Sequence, residues 1–159
     1  MTIKKTLATL VMAAMLATLI AFTSTRSNAS GGGSTASSLE GSWEITVMPD
    51  GGSPIIDLAT FTDGGGIINT DPDPNLSTGH GTWSKTEGHK FVVTFVHFLT
   101  NQGTSLGTVK VRAEIRLDRQ TDTFSGPFHT EVLIGGNLVQ SFCGTVEGRR
   151  IGVQAPECP

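Results

Sequence analysis

Residues 108–118 read TVKVRAEIRLD, an unbroken alternation. Val109, Val111, Ala113, Ile115 and Leu117 share one face; Lys110, Arg112, Glu114, Arg116 and Asp118 share the other. Side chains that switch sides at every residue belong to a β-strand with a core on one side and water on the other. Trp43, Ile45 and Val47 repeat the pattern upstream. Outward from these two runs, period-two segments bounded by Gly, Pro, Asn and Asp recur at short spacing. No helical apolar period of useful length follows residue 39. That combination predicts an all-β sandwich or barrel. Eight strands are expected, over 42–48, 55–62, 66–70, 80–86, 90–100, 108–118, 123–134 and 138–148. The fold class is an eight-stranded antiparallel up-and-down barrel, with a β-sandwich as the alternative.

Turn lengths set the expected registers. Pairing Leu117 with Phe124 leaves 119–122 as a four-residue loop and turns Phe124, Phe128, Val132 and Ile134 inward. Pairing Leu99 with Val109 turns Phe91, Val93, Phe95, His97 and Leu99 inward and sets Phe95 opposite Ala113. A three-residue loop at Gly135-Gly136-Asn137 turns Leu138, Gln140, Phe142 and Val146 inward. Gly144 then faces Phe128, and Gly126 faces Val146. Connections at one end are tight (63–65, 86–89, 119–122) and those at the other are longer (48–54, 71–79, 101–107). Trp43, Phe91, Leu117 and Phe124 gather at the tight end. His97, Thr130 and Gln140 lie inside toward the long loops. The picture is a cup with an apolar plug and a partly polar mouth, wide enough for one small molecule.

Residues 1–29 carry the marks of a secretory signal. Lys4 and Lys5 precede an apolar run from Leu7 to Phe22, and Ser27-Asn28-Ala29 offers small residues at a cleavage site. The run is short for a bilayer span, so no membrane insertion is expected after processing. Residues 30–38, SGGGSTASS, form a Gly/Ser linker that cannot bury apolar surface. One domain, 39–159, follows, and the mature chain is expected outside the cell or in the periplasm. Of the 11 Lys and Arg, three lie in the signal, which leaves 8 against 14 Asp and Glu, a net charge of −6. That balance disfavours nucleic acid or an anionic membrane as partner. The two cysteines of an exported chain, Cys143 and Cys158, are expected to pair; two free thiols are the alternative. The bridge would close a loop of about 15 residues, worth on the order of 3 kcal/mol.

Gly41-Ser42-Trp43 in the first strand looks like the G-x-W signature of the lipocalin-like, or calycin, barrels, in which the Trp plugs the closed end. The resemblance implies that Arg149 or Arg150, just after the last strand, lies over Trp43 in a cation–π contact. The chain repeats the motif in Gly81-Thr82-Trp83. It has no Tyr, so the family's Thr-Asp-Tyr motif is absent, and no helix follows the last strand. Calycin-like is therefore the resemblance, not lipocalin proper. The plan is equally similar to the allene oxide cyclase-like barrels, some of which fold and cyclise apolar substrates.

Chemical motifs exclude more than they suggest. Gly103-Thr104-Ser105-Leu106-Gly107 matches the G-x-S-x-G elbow but lies between strands, without the helix that would supply oxyanion donors. Asp71-Pro72-Asp73-Pro74-Asn75 opens like a calcium loop, but Leu76 replaces its Gly and Thr82 its bidentate Glu. The four histidines have no metal-site spacing, and no cofactor is expected. His129 and Glu131 share the outer face beside Glu114 and Arg116.

His97 is the chemical candidate, projecting into the mouth half near Thr130. Asp57 joins it if its strand turns that face inward; Ile56 and Leu58 are the other choice. The expected function is binding of a small, largely apolar molecule. Val47, Phe95, Val111 and Phe142 form the wall, His97, Thr130 and Gln140 the polar end, and His80 a rim contact. The alternatives are an isomerase or cyclase with His97, joined by Asp57, as acid or base, and a non-catalytic interaction or inhibitor module acting through its loops.

Overall fold

The computed structural model describes residues 38–157. The expected signal over 1–29, the linker through residue 37 and Cys158 lie outside the described residues. Eight strands run in chain order: β1 (Gly41–Pro49), β2 (Ile55–Phe61), β3 (Gly66–Thr70), β4 (Gly79–Lys85), β5 (Lys90–Asn101), β6 (Thr104–Asp118), β7 (Thr123–Ile134) and β8 (Asn137–Arg150). Each pairs antiparallel with the next, and β8 returns to β1, so the sheet is a closed barrel. Closure rules out the two stacked sheets of a sandwich.

Trp43 is fully buried at the tight-turn end. Its indole N–H donates to the Leu39 carbonyl at 2.9 Å, and the Phe124 ring sits 4.8 Å away. Arg150, on the last strand, stacks its guanidinium 4.2 Å from the Trp43 ring centre. Its Nε donates to the Asp122 carboxylate at 2.8 and 2.9 Å, and its terminal nitrogens donate to the Glu40 and Ser38 carbonyls. Of the two arginines the resemblance offered, Arg150 holds this place; Arg149 is exposed and pairs with Glu44. Phe61, Trp83 and Phe91 extend the plug, Phe61 edge to face with Trp83 and Phe91 tilted against it, so the repeated G-x-W delivers its Trp to the same end.

The inner faces follow the expected alternation, with three corrections. β6 and β7 pair as expected, Leu117 with Phe124 and Val111 with Thr130. β5 and β6 are shifted by two residues from expectation: Phe95 faces Val111, and Ala113 faces Val93. A two-residue slip preserves the inner face, so only the partners change. The segment 101–107 is no long loop. It turns on Gln102 and Gly103, whose φ values of 48° and 79° are those a tight type I′ hairpin needs, and a bulge follows at Leu106. Asn101 to Leu106 are all exposed; a hairpin wet on both faces carries no apolar alternation to announce it.

The β7–β8 connection is likewise shorter than expected. Gly135 and Gly136, with φ of 57° and 81°, form a two-residue turn, and Ile134 pairs with Asn137. A bulge at Val139 then restores the expected parity, so Phe128 still faces Gly144 and Gly126 still faces Val146. Leu138, expected inside, is outward and 59% exposed, and Ile134, also expected inside, is exposed where it pairs with Asn137 at the turn. Cys143 is exposed on β8.

The plug should carry much of the stability. Trp43→Ala removes a buried indole and the face on which Arg150 rests, and is expected to cost about 3–5 kcal/mol in urea unfolding. A loss below about 1 kcal/mol, the size of a surface change, would contradict the plug's role.

Candidate functional site

Because the aromatic plug fills the tight end, the space inside the barrel is displaced toward the other end. A cavity of about 170 Å³ remains there. That is close to the ~150 Å³ apolar cavity that accepts benzene, and below the ~300–1,000 Å³ of pockets for drug-sized molecules. A single ring with a short substituent fits; a long lipid does not. Val47, Phe95, Val111, Phe128 and Phe142 form the wall. Pro49, Asp71 and Leu76 bring the β1–β2 and β3–β4 connections to its upper end. Leu76 is held there by a bridge to Leu99 and by Thr100 N–H donating to the Asn75 carbonyl at 2.7 Å.

Glycines in β4 create room for the largest polar side chain. A Cβ at Gly79 would lie 2.7 Å from the His97 ring, and one at Gly81 would lie 2.6 Å from Phe95 Cβ. His97 is 2% exposed, and its Nδ1 is 2.6 Å from the Ser77 carbonyl oxygen. A carbonyl only accepts, so Nδ1 carries the proton and, in the neutral ring, Nε2 is an acceptor.

Asp57 and Asn69 stand together on the cavity wall. β1 sets Ile45 opposite Asp57, and since Ile45 faces inward, Asp57 does too. Ile56 and Leu58 are outside, each about half exposed. Asn69 Nδ2 donates to Asp57 Oδ2 at 3.3 Å and to the Leu58 carbonyl at 3.4 Å. Both of its N–H groups are thereby committed, which orients the amide. Asp57 Oδ1 and Asn69 Oδ1 are buried without a partner. Burial, reinforced by the nearby charge of Asp71, pushes the Asp57 carboxyl up to about 7, against the pull of the Asn69 hydrogen bond. The carboxyl therefore changes charge near neutral pH.

Of the residues expected at the site, Val47, Phe95, His97, Val111, Thr130, Phe142 and Asp57 line this cavity. Two do not. His80 pairs with Ile68 and Val96 on the outer face and is exposed. The inner positions beside it belong to Gly79 and Gly81, so parity turns His80 away. Gln140 keeps inward parity opposite Val132 but is exposed beyond the mouth, because β7 and β8 outrun the cavity. The expected His97–Asp57 partnership is replaced: His97 bonds Ser77, and Asp57 bonds Asn69.

Sequence reasoning missed Asn69 and Asp71. In 66–70, GIINT, two adjacent isoleucines hide which face is inner. Choosing Ile67, which is buried, places Asn69 inside. Comparison of the chain with protein families, with curated proteins and with solved structures finds no match.

The buried carboxyl makes stability depend on pH. A folded pKa of about 7 against an ordinary 3.8 means that the native state holds the proton more tightly. The contribution of this carboxyl to stability is then greatest below about pH 4, falls as pH rises and levels off above about pH 7, a total of at most about 4 kcal/mol. Asp57→Asn removes the titration. The variant is expected to match the parent near pH 5 or gain slightly, and to exceed it by about 2–4 kcal/mol near pH 8 in denaturant unfolding. Equal midpoints near pH 8 would contradict the burial of Asp57.

Proposed function

We propose that this chain is an exported binding protein that holds a small, largely apolar molecule inside its barrel. The observation that carries the reading is the cavity of about 170 Å³, walled by Val47, Phe95, Val111 and Phe142, with Asp57, Asn69, His97 and Thr130 as the polar groups in its lining. Apolar walls with a few convergent polar groups are how small-molecule sites combine affinity with orientation. The calycin-like resemblance supports the same reading, since the closed eight-stranded barrel is compatible with that fold. Export rests on residues 1–29, and it would place the binding site outside the cell or in the periplasm.

An enzyme is the second reading, favoured by one observation: a carboxyl with a pKa of about 7 in a cavity is poised as acid or base near neutrality. In that case the proton is moved by Asp57, or by Nε2 of His97, which the Nδ1–H bond to Ser77 leaves free. A module acting only through its loops would have no use for the internal space.

The test is binding of benzene and toluene followed by NMR of the cavity methyl groups. Saturable shifts at Val47 and Val111 are expected for the parent protein. In Val111→Phe, which fills the space at a cost of about 1–3 kcal/mol in stability, affinity should fall at least about tenfold. A folded parent protein that binds neither ring would overturn the proposal. Turnover of a co-purifying small molecule, lost in Asp57→Asn with binding retained, would favour the enzyme.

A further inference from the structure

The chemistry of the cavity's polar groups restricts what it would accept, given the proposal that the barrel interior is a ligand site. Four polar groups line it, Asp57 and Asn69 side by side on β2 and β3, His97 and Thr130 farther round the barrel on β5 and β7, and three of them present acceptors. Asp57 Oδ1 and Asn69 Oδ1 are buried and unpartnered, on side chains 7% and 2% exposed. His97 donates its Nδ1–H to the Ser77 carbonyl, which leaves Nε2 as the acceptor of the neutral ring. Both N–H groups of Asn69 are already donated. Only the Thr130 hydroxyl is free to serve as donor or acceptor. Asp71 adds a second carboxylate at the upper end, its Oδ1 accepting from the Asp73 N–H at 2.7 Å. Among the described residues, no Lys or Arg lines the cavity.

Buried acceptors without donors carry a desolvation cost of about 1–3 kcal/mol each. A ligand that brings donors recovers it; one that brings only acceptors adds to it. A carboxylic acid would also meet two carboxylates and no cation. A neutral hydrocarbon would leave Asp57 and Asn69 as they are. From this the geometry points to a small aryl-alkyl amine as the ligand class: a single ring among Phe95, Val111 and Phe142, with its ammonium group donating to Asp57 Oδ1 and Asn69 Oδ1. The cavity volume of about 170 Å³ limits it to one ring and a short chain.

Binding is then coupled to protons. The titratable groups lining the cavity are Asp57 on β2, Asp71 on the β3–β4 connection and His97 on β5; the inner positions of β1 and β3 carry Ile45, Val47 and Asn69. Asp57, raised to about 7, holds a proton at lower pH. As the ammonium docks, that proton leaves to solvent and the carboxylate takes the charged partner. Affinity for the amine therefore rises as pH passes upward through 7, while affinity for an uncharged ring does not.

Isothermal titration of the mature protein with phenethylamine, propylbenzene and phenylpropanoate separates the cases. Near pH 8 the amine is expected to bind at least about tenfold tighter than propylbenzene, and the acid more weakly than either. Near pH 5.5 the amine's advantage should shrink by about tenfold, following protonation of Asp57. Asp57→Asn should shrink the ratio of amine to propylbenzene affinity near pH 8. Equal binding of amine and propylbenzene near pH 8, or tightest binding of the acid, would overturn this inference and leave the cavity reading standing. An amine preference that survives in Asp57→Asn would also overturn it. Failure of all three ligands to bind would remove the cavity reading as well.

Discussion

Arg150 holds the first and last strands of the meander together at the point where the barrel is sealed. An eight-stranded meander that did not close would expose two strand edges and open its core to water. Here β8 pairs with β1 from Gly144 to Arg150. At the end of that ladder one guanidinium contacts the Trp43 ring, the Asp122 carboxylate and two carbonyls of the segment before β1. The contact ties together the chain entry, β1, the β6–β7 turn and β8. A planar cation with five donors is suited to such a junction in a way a lysine would not be.

Sealing one end decides where the empty space goes. Phe61, Trp83, Phe91 and Phe124 fill the lower barrel around Trp43, and above them Val47, Val111 and the β4 glycines alternate with Phe95, His97 and Phe142 around the cavity. The glycines of β4 and β8 are the counterpart of the large rings: Gly79 makes room for His97, Gly144 for Phe128 and Gly148 for Phe124. Against this packing stand a buried carboxyl and two unpartnered oxygens, which lower stability. The tight aromatic end offsets them, and local rules of polar satisfaction are broken where a site is expected.

The sequence made the walls legible and the polar side only partly so. Alternation in 42–48 and 108–118 fixed two inner faces, and short loops propagated parity to their neighbours. Parity survived even where the turns were misread, because the added bulges at Leu106 and Val139 compensated the shorter hairpins. His97, Thr130, Phe95 and Phe142 came out inside for that reason. Asn69 did not, because the run Ile67-Ile68 hides the face. Asp57 stayed ambiguous beside Ile56 and Leu58 until the pairing with Ile45 was known. Apolar residues on the outer wall, such as Phe98 and Ile68, defeat any reading based on hydrophobicity alone. How far β5 to β8 rise past the mouth, and hence that Gln140 leaves the cavity, depends on strand tilt and stagger, which alternation does not encode.

The most direct measurement of the account is a crystal structure of the mature protein under xenon pressure. Xenon seeks dry apolar cavities, so density is expected inside the barrel, among Phe95, Val111 and Phe142 above the Trp43 plug. Side chains packed through that volume, with no xenon in it, would contradict the claim that the barrel holds room for a guest.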